Sequence, residues 1–128
     1  MVRRLPLLLI ALFLGGCISA MASNENTSRV RLNQVANLGL VRVIPLQVIE
    51  DSRCPKDVQC VWAGQVRIRA SVANPSGEHL RTLTLGQPQS IGGGTLLLQE
   101  VTPRKQADTL IPSGDYSFVL HYTVPSAR

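Results

Sequence analysis

Three cysteines, two histidines and eight acidic residues are the side chains of this 128-residue sequence whose types could carry chemistry. Thiols serve as nucleophiles, metal ligands or disulfides, imidazoles as bases or ligands, and paired carboxylates as acid and base. Spacing decides among these uses. His79 and His121 are isolated in the chain, so zinc or copper finds no convergent donor set. Glu50, Asp51 and Asp57 offer oxygens for calcium but lack the alternating ligand positions of a calcium-binding loop. No G-x-S-x-G element presents a serine nucleophile, and His121 falls on the polar face of a candidate strand, the ordinary place for a solvated imidazole. Gly92-Gly93-Gly94 is followed by neither Lys-Ser/Thr nor a helix, which favours a hairpin or loop over a phosphate cradle. The expectation is a protein that is not an enzyme and uses no metal or cofactor.

Cys17 differs from the other two thiols in what precedes it. Arg3 and Arg4 open the chain, an apolar run follows from Leu5 to Leu14, and Gly15-Gly16 leads into the cysteine. That is the three-part plan of an export signal, and a run of about ten apolar residues is too short for a bilayer core that needs roughly twenty. Leu14-Gly15-Gly16-Cys17 resembles a bacterial lipobox, in which the thiol takes diacylglycerol and the chain is cut just before it. Each buried methylene contributes about 0.8 kcal/mol, so two or three acyl chains hold far more firmly than one. The alternative is an ordinary secretory signal cut after Ala20 or Ala22. Ile18 is not the Asp associated with inner-membrane retention, which points to the outer membrane, facing the periplasm. The expected organisation is a signal peptide over 1–16, lipidated Cys17 with a flexible tether over 17–28, and one domain over 29–128.

Loss of Arg3 and Arg4 with the leader takes the 13 basic residues to 11 against 8 acidic, and the formal charge from +5 to +3. The remaining arginines are scattered, with only Arg104 and Lys105 adjacent, so no basic run tracks a nucleic acid. Between turn signals the chain is rich in Val, Ile, Leu and Thr, which predicts strands over Arg29–Ala36, Val41–Glu50, Val61–Asn74, His79–Gly86, Thr95–Val101 and Tyr116–Val124. Trp62, Val66, Ile68, Ala70 and Val72 share one face by period two, as do Tyr116, Phe118, Leu120, Tyr122 and Val124, and these faces are the expected core. Pro45 marks an edge strand or a bulge. No window shows a helical period free of Gly and Pro, so the fold class is all-β: an antiparallel β-sandwich of six or seven strands, with a small barrel as the alternative.

Once exported, Cys54 and Cys60 are expected to pair as a disulfide, since the compartment is oxidising and Cys17 is committed to lipid. Around them the sequence reads Asp51-Ser52-Arg53-Cys54-Pro55, then Val58, then Cys60-Val61-Trp62-Ala63-Gly64. This stretch resembles the signature of an uncharacterised family of small bacterial exported proteins and lipoproteins, and Leu98 to Pro103 is similar to a later element of it. The resemblance implies a β-rich fold and export, and carries no activity or ligand with it. Physically the motif is a self-organising corner. Asp51 accepts from backbone N–H groups or pairs with Arg53, Pro55 sets direction, Trp62 covers the disulfide from the core side, and Gly64 permits a bulge or close backbone approach. The functional reading makes Asp51, Arg53, Lys56, Asp57 and Trp62 a recognition loop on a rigid support. The expected role is therefore a lipid-anchored envelope module that binds a protein partner or serves structure, with a small enzyme inhibitor or a periplasmic metal-binding protein as alternatives.

Overall fold

The computed structural model describes residues 15–16 and 26–125; Cys17, the leader and most of the expected tether lie outside them. Eight strands form among the described residues: β1 (Asn26–Val30), β2 (Ala36–Asn37), β3 (Arg42–Asp51), β4 (Val66–Asn74), β5 (Gly77–Thr84), β6 (Gln89–Ile91), β7 (Gly94–Thr102) and β8 (Ser117–Thr123). They make two four-stranded antiparallel sheets, β1-β8-β7-β6 and β2-β3-β4-β5, which do not close into a barrel. The β-sandwich is thus the architecture. A 3-10 turn, Ser113–Asp115, leads into β8.

Period-two patterning builds the core. Val66, Ile68, Ala70 and Val72 of β4 are buried and face Phe118, Leu120 and Tyr122 of β8, with Leu96 and Leu98 of β7 beside them. Tyr116 stacks on Phe118 with ring centroids 5.9 Å apart. The Tyr122 hydroxyl, carried into this core, donates to the Ile91 carbonyl at 2.7 Å.

Pro45 sits in an interior strand, and a bulge accommodates it. The register passes from Pro45↔Ala70 to Gln47↔Arg69, and again from Val48↔Ile68 to Glu50↔Arg67, so Leu46 and Ile49 are the unpaired extra residues. Both are partly exposed. The Pro45 carbonyl accepts from the Asn33 N–H at 2.7 Å, which places the missing proline N–H on the side where β2 has already ended. Two bulges cancel in facing: Val48 turns inward, Glu50 outward beside Arg67, and Asp51 inward beside buried Val66. A third bulge between Leu98 and Glu100 makes Val101 the next buried residue of β7.

The glycine run closes a hairpin. Ile91 pairs with Gly94 across Gly92-Gly93, whose φ values of 54° and 84° suit the tight turns that follow strand twist.

Several expectations change. The strand expected over Arg29–Ala36 breaks at residues 31–35, where the chain turns between β1 and the two-residue β2. β1 starts at Asn26, three residues before the expected domain boundary, because Asn26, Thr27 and Ser28 pair with Tyr122, His121 and Leu120. Polar side chains suit this edge strand, and the Thr27 hydroxyl lies 2.6 Å from His121 Nδ1. Trp62 is not in the core; it is 82% exposed, and Val61 91%. β4 starts only at Val66, so the alternation carried back to position 62 runs past the end of the strand. Val124 likewise lies beyond β8 and is exposed.

Candidate functional site

The corner between β3 and β4 is built on Asp51. Its carboxylate accepts from Arg53 Nε at 2.8 Å through Oδ1, and from Arg53 Nη2 and the Tyr116 hydroxyl, each at 2.8 Å, through Oδ2. The Arg53 backbone N–H adds a longer contact of 3.4 Å. Arg53 then reaches the other sheet: Nη1 donates to the Val101 carbonyl at 2.9 Å and Nη2 to the Pro103 carbonyl at 3.0 Å. Lys105 Nζ donates to the Asp51 carbonyl at 2.7 Å, while the Lys56 N–H donates to the Lys105 carbonyl at 2.8 Å. A planar guanidinium suits this work, because its donors form a fixed fork that meets a carboxylate two-pronged and leaves others for carbonyls. The Arg53 and Asp51 side chains are only 15% and 9% exposed.

The electrostatics follow from that geometry. Burial alone would raise the Asp51 carboxyl, but the hydrogen bonds from Arg53 and Tyr116 outweigh it and hold the group below the usual carboxylate range. The bonds to Asp51 in turn raise the Arg53 guanidinium against the opposing effect of burial. Burial first, and the Asp51 carboxylate second, push the Tyr116 hydroxyl up to about 12. Glu50, on the outer face, is lowered by hydrogen bonds from Gln65, then Ser52, with Arg67 adding a 3.4 Å ion pair.

Beyond Arg53 the chain leaves the sandwich. Cys54 and Cys60 are disulfide-bonded with Cα atoms 5.8 Å apart, and the loop they close carries exposed Lys56, Asp57 and Val58. Gly64 (φ 69°) brings the chain back: a side chain there would run into the Ser52 carbonyl, so close approach of the two backbones requires glycine. Ser52 and Gln65 seal the neck, Ser52 N–H donating to the Gln65 carbonyl at 2.8 Å and Gln65 N–H to Ser52 Oγ at 3.0 Å. Between disulfide and neck, Val61 and Trp62 project into solvent.

The five residues expected to form a recognition loop therefore separate. Asp51 and Arg53 are consumed by the brace, because the fixed carbonyls of Val101 and Pro103 lie within reach of the guanidinium; Arg53 is not a free surface charge. Lys56, Asp57 and Trp62 are exposed. Tyr116 and Lys105 also bond to Asp51, and nothing in the sequence marks them as members of the brace. The aromatic periodicity marked Tyr116 as core, and only the third dimension brings its hydroxyl to Asp51. Among the described residues no three of His, Cys, Asp and Glu converge as a metal site requires, and no helix is long and apolar enough to cross a membrane. Comparison of the chain with family models, curated proteins and solved structures finds no match.

Proposed function

We propose that the chain is a lipid-anchored lipoprotein of the bacterial cell envelope, held by lipid on Cys17 in the outer membrane, and that it acts as a non-catalytic binding module. The stretch from Cys54 to Trp62, the disulfide-closed loop and the two residues after it, is its contact surface toward an envelope protein. One observation carries this reading: Trp62 and Val61, 82% and 91% exposed, stand on a support fixed by a disulfide, a glycine neck and the Asp51–Arg53 brace. Large apolar side chains held in water gain nothing for the fold, whereas rigid aromatic anchors dominate the energetics of protein interfaces. Lys56 and Asp57 on the same loop supply a polar rim.

The test separates binding from folding. A Lys56→Ala, Asp57→Ala, Trp62→Ala triple variant is expected to keep the wild-type unfolding midpoint while failing to complement a deletion strain under envelope stress. Full complementation by this variant removes the loop from the function. Intact-mass analysis of the mature protein reads the anchor: Cys17 as the first residue with a diacylglyceryl adduct is expected, and a chain beginning after Ala20 or Ala22 is not.

A further inference from the structure

We infer that the end of the sandwich carrying Asn26, Leu40 and Val124 rests on the bilayer that holds the Cys17 lipid, so that the disulfide loop stands on the far side, clear of that membrane. The inference rests on the lipoprotein reading and adds an orientation and a lipid contact surface to it.

Strand directions define the two ends. β1 begins at Asn26, β8 finishes at Thr123 and β3 begins at Arg42, all at one end; β3 finishes at Asp51, β7 at Thr102, and β8 begins at Ser117, all at the other. Asn26, Gly39, Leu40, Thr123 and Val124 line an open cleft of about 460 Å³ at the first end. Leu40 is 60% and Val124 50% exposed, although both are large apolar side chains. Exposed Arg42 lies beside Leu40, which sets a cation against the apolar pair as an anionic lipid surface requires. Trp62 belongs to the opposite end, beyond Asp51.

Chain length decides between the two orientations. β3, ten residues at about 3.3 Å each, puts roughly 30 Å between the ends. The chain from Cys17 to Asn26 spans about 30 Å only if fully extended. Turning the loop toward the membrane would lift Asn26 to the limit of that span, whereas the upright orientation needs only a fraction of it and lays Leu40 and Val124 on the surface.

Trp62 is the only tryptophan, so the protein carries its own reporter. The full-length lipidated protein is reconstituted into phosphatidylethanolamine and phosphatidylglycerol vesicles with or without brominated acyl chains. Trp62 emission is expected to be the same in both and to stay open to iodide added in solution. The Leu40→Trp, Trp62→Phe double variant is expected to lose about half its emission to the brominated chains, since interfacial aromatics sit at the headgroup boundary. Val124→Trp, Trp62→Phe replaces it should the first variant lose the wild-type circular dichroism. Quenching of Trp62 by brominated lipid overturns the orientation, and folded double variants that escape quenching overturn the contact surface. Intact mass keeps the two readings apart: lipidated protein with Trp62 quenched defeats the orientation alone, whereas protein without the adduct defeats the lipoprotein reading and the orientation with it.

Discussion

The stretch from Asp51 to Gly64 divides into two halves with opposite relations to solvent. In the inner half, Asp51 and Arg53 are withdrawn from water and bonded to Tyr116, Val101 and Pro103 of the facing sheet. In the outer half, Lys56 and Asp57 stand in solvent on the loop closed by the Cys54–Cys60 disulfide, and Val61 and Trp62 on the segment that follows it. An arginine and a tryptophan thus exchange the places their hydropathy suggests. What decides is the supply of fixed partners: the guanidinium finds a carboxylate and two carbonyls whose own needs it meets, whereas the indole, four residues before β4 begins, stands 82% exposed. The inner half holds the corner rigid, and the outer half is what rigidity presents.

Breaking the inner half should have the largest effect. Arg53→Ala leaves the Asp51 carboxylate largely withdrawn from water without its cation, and removes a donor from each of two carbonyls; the expected loss is about 3 kcal/mol. Urea unfolding reads it as a lowered midpoint with unchanged slope. Replacing both Cys54 and Cys60 with serine comes next. Closure of so short a loop restrains the unfolded chain by about 2 kcal/mol, so the same measurement should show a smaller loss, with the brace still formed.

Tyr116→Phe should cost about 1 kcal/mol at neutral pH, because Arg53 still donates to both Asp51 oxygens. Its signature is pH dependence. The hydroxyl is raised to about 12 in the fold against about 10 in the unfolded chain, so its stabilising contribution is complete below pH 10 and disappears as pH rises through 12. Wild type should therefore lose stability over that interval in excess of the variant, and an ultraviolet titration should lose its late phenolate. Asp51 works at the other limit. Its folded carboxyl is lowered, so its contribution is present above the unfolded value near 4 and declines as pH falls through the folded one. Urea midpoints between pH 5 and 2 should fall more steeply for wild type than for Asp51→Asn.

The sheets were legible because period two survives in the residue types of strands with one buried face: apolar and polar residues alternate from Val66 to Val72, although Ser71 is itself buried, and Phe118, Leu120 and Tyr122 are buried at alternate positions of β8. Proline pointed to the bulge in β3, and the glycine run to the β6–β7 hairpin. The pairing of Cys54 with Cys60 was legible from the expectation that Cys17 is committed to lipid and the chain exported to an oxidising compartment. Alternation says nothing about where a strand starts, so Trp62 was assigned to a face it never reaches and Asn26–Ser28 to the tether. The brace was half legible. Asp51 and Arg53 are two residues apart and their pairing is local, whereas Tyr116 lies 65 positions away and the carbonyls of Val101 and Pro103 have no side-chain signal at all.

The smallest expected effect on stability sharpens the comparison most. Trp62→Ala removes the largest side chain of the corner, yet the indole is 82% exposed and no hydrogen bond of the brace or neck passes through it. An exposed site of this kind shifts stability by about 0.5 kcal/mol or less, where burying the same ring would be worth several times as much. An unfolding midpoint unchanged from wild type, measured beside the large loss in Arg53→Ala, would confirm that the two halves of the motif do different work. A loss approaching that of Arg53→Ala would mean that the indole packs against the corner after all, and the outer half would then belong to the brace.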